Sequence, residues 1–152
     1  MRRSDRELTD PSEIDDILMR ARICHLGLND SGLPYVVPLN YGYADGCLYI
    51  HSATEGRKID ILRRDPVVAF AVYIDEEVVE AEKACGWGMK YRCVMGQGRA
   101  SLLTCPGEKE KALGVIMGQH GSLHNEFDPV QVGKVAVIRV EIDSMTGKKA
   151  RC

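Results

Sequence analysis

Three things are missing from this 152-residue sequence, and each absence removes a class of function. There is no basic surplus: 20 Lys and Arg stand against 22 Asp and Glu, whereas a dedicated nucleic-acid binder carries a basic face. There is no long hydrophobic run. The longest, Val67 to Ile74, falls far short of the ~20 residues that cross a bilayer. No two of the cysteines (24, 47, 85, 93, 105 and 152) are spaced C-x-x-C, so neither a zinc knuckle nor a thioredoxin-like pair is indicated. The P-loop pattern and H-E-x-x-H are absent too, as are internal repeats. The polar start "MRRSDRELTDP" has no apolar stretch behind it and shows no secretory signal. The expectation is a soluble cytoplasmic protein with reduced thiols, acting on neither nucleic acid nor membrane.

What is present reads as a single domain over residues 1–152. Asp10-Pro11-Ser12-Glu13 opens a helix with a capping residue and a proline at the first helical position, and Ile14, Ile17, Leu18 and Ala21 follow at helical spacing. From Ile23 the period is two. Cys24, Leu26 and Leu28 share one strand face up to the turn "NDSG". Leu33 to Tyr43 and Cys47 to Ser52 form a hairpin about Asp45-Gly46, and a helix from about Gly56 to Arg64 stops at Asp65-Pro66. Further strands run Val67–Asp75, Tyr91–Leu103 and Val135–Ile142, with a solvated acidic excursion at residues 76–82 and a third helix opening near Pro106. Gly96 and Gly98 mark a bulge or a close backbone approach. Six strands in mostly hairpin order, with three helices, predict an α+β barrel.

The chemistry gathers in "YIHSATEGRKIDILRRDP", residues 49–66. A strand ends in His51 and Ser52, a bend carries Gly56, and a helix opens with Arg57 and Lys58. Two cations at the positive end of a helix are poorly placed unless something negative joins them. Free N–H groups, an arginine fork, a lysine point charge and a serine donor make a phosphate clamp. The bland alternative is two solvated cations beside Glu55. Pro38, inside the otherwise good strand "YVVPLNYGY", has no N–H for a ladder. It marks an edge strand, or a segment whose backbone faces a ligand. His120 and His124, four apart but separated by glycine, read as a solvated loop. Trp87, between glycines, is a packing residue, or one that stacks on a ring or covers a dimer interface.

Taken in order, "VVPLNYGY", "LYIHSATEGRKIDIL", "GWGMKYRCVMGQGRA" and "VIRVEIDSMTGKKAR" resemble the FMN-binding split-barrel family that includes pyridoxamine-phosphate oxidase, in particular its nitroimidazole-resistance (Nim) branch. The resemblance implies a six-stranded, mostly antiparallel split β-barrel of Greek-key type with short flanking helices, and a homodimer with flavin at its interface. It also implies that Ser52, Arg57 and Lys58 hold the FMN phosphate and that Val37, Pro38, Leu39 and Asn40 run along the flavin ring. His51 would lie beside the flavin as the catalytic candidate, and Tyr91 and Arg92 would approach the cofactor. The tail "SMTGKKARC" lacks the substrate-binding tryptophan and arginine of the pyridoxamine-phosphate oxidases, which speaks against synthesis of pyridoxal phosphate.

On this reading the protein is an FMN-dependent oxidoreductase that reduces a small molecule, a nitroaromatic such as a nitroimidazole being one acceptor and NAD(P)H one donor. The rival is a non-catalytic flavin or haem carrier of the same fold, with His51 as an axial ligand. No metal site is expected.

Overall fold

The computed structural model describes residues 4–124 and 126–152; the first three residues and residue 125 lie outside it. Its strands are β1 (Glu7–Leu8), β2 (Ile23–Asp30), β3 (Leu33–Asn40), β4 (Gly42–Ala44), β5 (Cys47–Ser52), β6 (Val67–Val79), β7 (Gly88–Leu102) and β8 (Ala136–Ala150). Its α-helices are α1 (Pro11–Arg20), α2 (Arg57–Arg64), α3 (Pro106–Gln119) and α4 (Pro129–Gly133). The fold class is as the sequence predicts, α+β with a mostly antiparallel barrel sheet, but the described residues form eight strands instead of six.

The local signals explain most elements. Asp10 caps α1 by accepting from the Ser12 backbone N–H at 2.9 Å, with Pro11 in the first turn. Positive φ angles at Ser31-Gly32 and Asp45-Gly46 allow the two-residue turns that join β2 to β3 and β4 to β5. Cys24, Leu26 and Leu28 of β2 face inward with Val68, Phe70 and Val72 of β6, and Ile17 and Leu18 of α1 join the same core. Burial pushes the Cys24 thiol up to about 12, so it is an inert packing group.

Pairing order is β3-β2-β6-β7-β8-β5-β4, with β1 attached to β8. The ends of this path, β3 and β4, are consecutive pieces of chain joined at Tyr41. The predicted strand from Leu33 to Tyr43 is therefore two strands. Its first part pairs with β2 and its last part with β5, so the barrel closes at one residue and is split there. Tyr41 is fully buried, and its hydroxyl donates to the Leu18 carbonyl.

Three other differences have one cause. β6 runs on to Val79, β7 starts at Gly88 and β8 continues to Ala150. The β6 and β7 extensions pair with one another, as Glu77 with Lys90, and the β8 extension pairs with the start of β7, as Lys148 with Cys93; all are held by cross-strand partners more than by burial. The alternation that marks a half-buried strand is weak there. Both readings of the β7 glycines hold: the register shifts at Gln97/Gly98, and a side chain at Gly96 would meet the Phe70 ring at 2.6 Å.

The helix α3 lies on β4 with almost no clearance. A Cβ at Gly42 would stand 2.7 Å from the Ile116 backbone. Gly42→Ala should therefore lower stability by about 1–3 kcal/mol, the usual cost of overpacking. This would appear as a lower urea midpoint at unchanged slope. An unchanged midpoint would mean that α3 is not docked there.

Candidate functional site

Gly56, at φ 116°, turns the chain out of β5 into α2 in a conformation that favours glycine. No side chain caps this helix, unlike α1 and α4, where Asp10 and Asp128 accept from backbone N–H groups. The first intrahelical bond runs from Asp60 N to Gly56 O. The preceding N–H groups stand at the positive helix end.

Arg57 has found one anion. Its Nε donates to Asp30 Oδ2 at 2.9 Å, and its guanidinium lies 4.3 Å from the centre of the Tyr35 ring. Arg64, two helical turns on, donates to the other Asp30 oxygen at 2.8 Å. The Asp30 carboxyl is held below its ordinary value by these bonds, Arg57 first. Asp30 occupies the Nε edge of Arg57, and the Nη groups have no protein partner among the described residues. Lys58 is half-buried, with no ion pair among those residues, and lost hydration lowers its pKa. Ser52 is half-buried at the end of β5. Ser52, Arg57 and Lys58 thus lie on one β5–α2 connection, and Arg57 reaches across to β3.

The split explains what lies opposite. β4 covers only Cys47 to Tyr49 of β5, leaving Ile50, His51 and Ser52 with β8 on one side alone. Continuing the β4–β5 register past Tyr41 would set Asn40 against His51 and Leu39 against Ser52. The chain instead diverges to pair with β2, so the outer edge of β3 and the end of β5 flank a gap. Pro38 stands on this terminal strand, opposite His25, so the edge reading of Pro38 holds. The hairpin does not bring residues 37–40 into a ladder with His51, as the sequence suggests; it brings them to the rim of a cleft. Tyr35, Val37 and Leu39 pack on the core, while Val36 and Pro38 are exposed.

His51 is exposed and shares a cavity of about 280 Å³ with Asn40, α3 and α4. His120, at the end of α3, lines it too, and its Nε2 donates to the Tyr41 carbonyl at 3.1 Å.

Tyr91 and Arg92 do not join this group within one chain. They pair with Ala150 and Lys149 at one end of β8, whereas His51 pairs with Val137 at the other. About 40 Å of strand path separates the two positions. Arg92 is held by Asp75 at 2.6 Å and Asp16 at 3.3 Å. Trp87 is exposed on the β6–β7 arm, its indole N–H donating to the Ala81 carbonyl at 2.7 Å. Among the described residues no cluster of His, Cys, Asp or Glu could hold a metal, and no helix is long and apolar enough to cross a membrane. Sequence reasoning missed Asp30 and Arg64. The unexplained cations of α2 were the signal that an anion had to be close.

The model of the pyridoxamine 5'-phosphate oxidase family matches residues 10–149. No curated protein matches the chain. Among solved structures, a candidate 5-nitroimidazole antibiotic resistance protein from Bacteroides thetaiotaomicron is 33% identical, with TM-score 0.84, covering 94% of this chain and 86% of its own. An FAD-binding protein from Mesorhizobium loti is 26% identical with TM-score 0.70, covering 95% and 97%. The flavocytochrome Anf3 from Azotobacter vinelandii, 20% identical over 100% and 72%, has TM-score 0.84 and shares the fold.

The depressed Asp30 value fixes the pH range of its contact with Arg57. The carboxylate persists above its ordinary 3.8 and is neutralised only as the pH falls through the lower folded-state value. The ¹⁵N signal of Arg57 Nε should therefore keep its hydrogen-bonded position from pH 8 down past 3.8, and Asp30→Asn should shift it throughout. A wild-type transition above 3.8 would contradict the contact.

Proposed function

The chain belongs to the pyridoxamine 5'-phosphate oxidase family, and from that premise we propose that it is a homodimeric, cytoplasmic FMN-binding oxidoreductase that reduces a small molecule with electrons from NAD(P)H. The observation that carries this reading is the uncapped start of α2 beside the split. There Ser52, Arg57 and Lys58 offer a hydroxyl, free Nη groups and an ammonium to a terminal phosphate. Two cations and open helix N–H groups suit a phosphate dianion better than any neutral group.

The outer edge of β3 at Val37, Pro38, Leu39 and Asn40 offers backbone polar groups to the edge of a flavin ring. Its partner across the cleft is His51. Bound FMN supplies the electron transfer, and the protein supplies binding, orientation and exclusion of water. The His51 imidazole has no hydrogen bond among the described residues, so its ring nitrogens are open to donate or accept. It is therefore suited to deliver a proton to the acceptor or to orient it. A nitroimidazole is the acceptor class favoured by the likeness to the Bacteroides protein. Tyr91 and Arg92 have no part in this site as built from one chain. The exposed Tyr73, Val78 and Met89 near the β6–β7 arm support a second copy as the partner.

The test is visible absorbance after FMN loading and desalting, with turnover of a nitroimidazole measured on the same samples. Wild type should keep the flavin bands, and Arg57→Ala/Lys58→Ala should lose them. His51→Ala should keep FMN and lose about a hundredfold or more in kcat, the scale of general acid catalysis. Equal FMN retention by the double variant would refute the clamp. A Soret band on haem addition, lost in His51→Ala, would shift the reading to a non-catalytic carrier.

A further inference from the structure

The cavity beside His51 is separate from the phosphate clamp and has its own chemistry. Its walls are Leu113, Ile116 and Met117 of α3, Phe127, and Val132 and Val135 at α4 and beyond. This lining is mostly apolar. Of its polar groups, Asp128 Oδ1 accepts from the Val130 N–H at 2.9 Å and His120 Nε2 donates to the Tyr41 carbonyl, the second oxygen and the second ring nitrogen staying open among the described residues. The His51 imidazole and the Asn40 and Gln131 amides have no hydrogen bond among those residues. Among the described residues no Lys or Arg lines the space, so a bound anion would be desolvated without a counter-charge beside Asp128. At about 280 Å³ the cavity is just below the usual range of drug-sized sites. It suits one or two rings, not a peptide.

We propose that this cavity binds the small-molecule substrate, as a compact, ring-sized molecule that carries no negative charge and whose polar group hydrogen-bonds His51 or Asn40. The two residues stand on opposite sides of the split, so a ligand here abuts the cleft assigned above to the flavin ring. Its role as substrate pocket rests on that flavin reading; its occupancy does not. Leu113 and Met117 set the size limit from α3.

Benzamide and benzoate, nearly isosteric and differing in charge, test the assignment on the full chain. The ¹³C-methyl signals of Met117 and Ile116 and the ring signals of His51 report occupancy, with FMN retention measured in parallel. Benzamide should shift these signals saturably and benzoate should bind at least tenfold more weakly. Leu113→Trp and, separately, Met117→Trp should abolish the benzamide shifts in protein whose other methyl signals stay dispersed. Silent methyls with benzamide, equal binding of the two probes, or undiminished binding to both folded tryptophan variants would overturn the proposal. Saturable benzamide shifts in protein that retains no FMN would support the pocket and sink the flavin reading; retained FMN with silent methyls would do the reverse.

Discussion

Tyr41 has to join two strands that belong to opposite ends of one sheet. The chain before it is bonded to β2 and the chain after it to β5. A residue in that position cannot draw its support from a ladder, and the surrounding helices supply it. The Tyr41 hydroxyl reaches the end of α1 at Leu18, and its carbonyl accepts from His120 at the end of α3. Gln119 binds the Leu18 and Ala21 carbonyls and accepts from the Tyr43 N–H at 2.7 Å. Burial raises the Tyr41 pKa, so the phenol stays a neutral donor. These bonds hold the barrel closed on one side of Tyr41 and open on the other. The cleft between β3 and β5, and the cavity under α3, follow from that arrangement.

Electrostatics then decide what the cleft can take. Arg57 and Lys58 sit at the positive end of α2, and Asp30 offsets part of the charge by binding Arg57 and Arg64. Because Asp30 takes only the Nε side of Arg57, the same contact that neutralises the guanidinium also fixes its plane, with the Tyr35 ring beneath it. Such preorganisation lowers the entropic cost of catching an anion. Lys58, half-buried and without an ion pair among the described residues, stands to gain most from one. The cavity on the other side of His51 has no Lys or Arg among the described residues that line it. One strand end therefore borders two sites of opposite character.

Local structure was legible where a residue type acts within a few positions of itself. Asp10-Pro11 announced α1, Asp45-Gly46 a two-residue turn, and the period-two burial of Cys24, Leu26 and Leu28 a strand. The pair Gly96 and Gly98 announced close backbone contacts. The break at Tyr41 was not legible, because "VVPLNYGY" alternates well on both sides of it and only the partners β2 and β5 differ. The extension of β8 to Ala150 was hidden for a related reason: Gly147 and Ala150 are its buried residues there, and they are too small to show a pattern. Within the site, the β5–α2 residues could be read because they are adjacent in sequence. Asp30 could not, since its partner lies 27 residues away. Arg92, expected from sequence near a cofactor at a dimer interface, is joined within this chain to Asp75, Asp16 and Arg20 in an ion-pair network that ties α1 to the far end of the barrel.

The central claim is that a phosphate is what α2 was built to meet. Calorimetric titration with FMN and with riboflavin, which differ only in that phosphate, tests it most directly. Two charge-assisted contacts of about 1.5–3 kcal/mol each predict that FMN binds at least about a hundredfold more tightly than riboflavin. Equal affinities would mean that the phosphate goes unrecognised and that Arg57 and Lys58 serve another purpose.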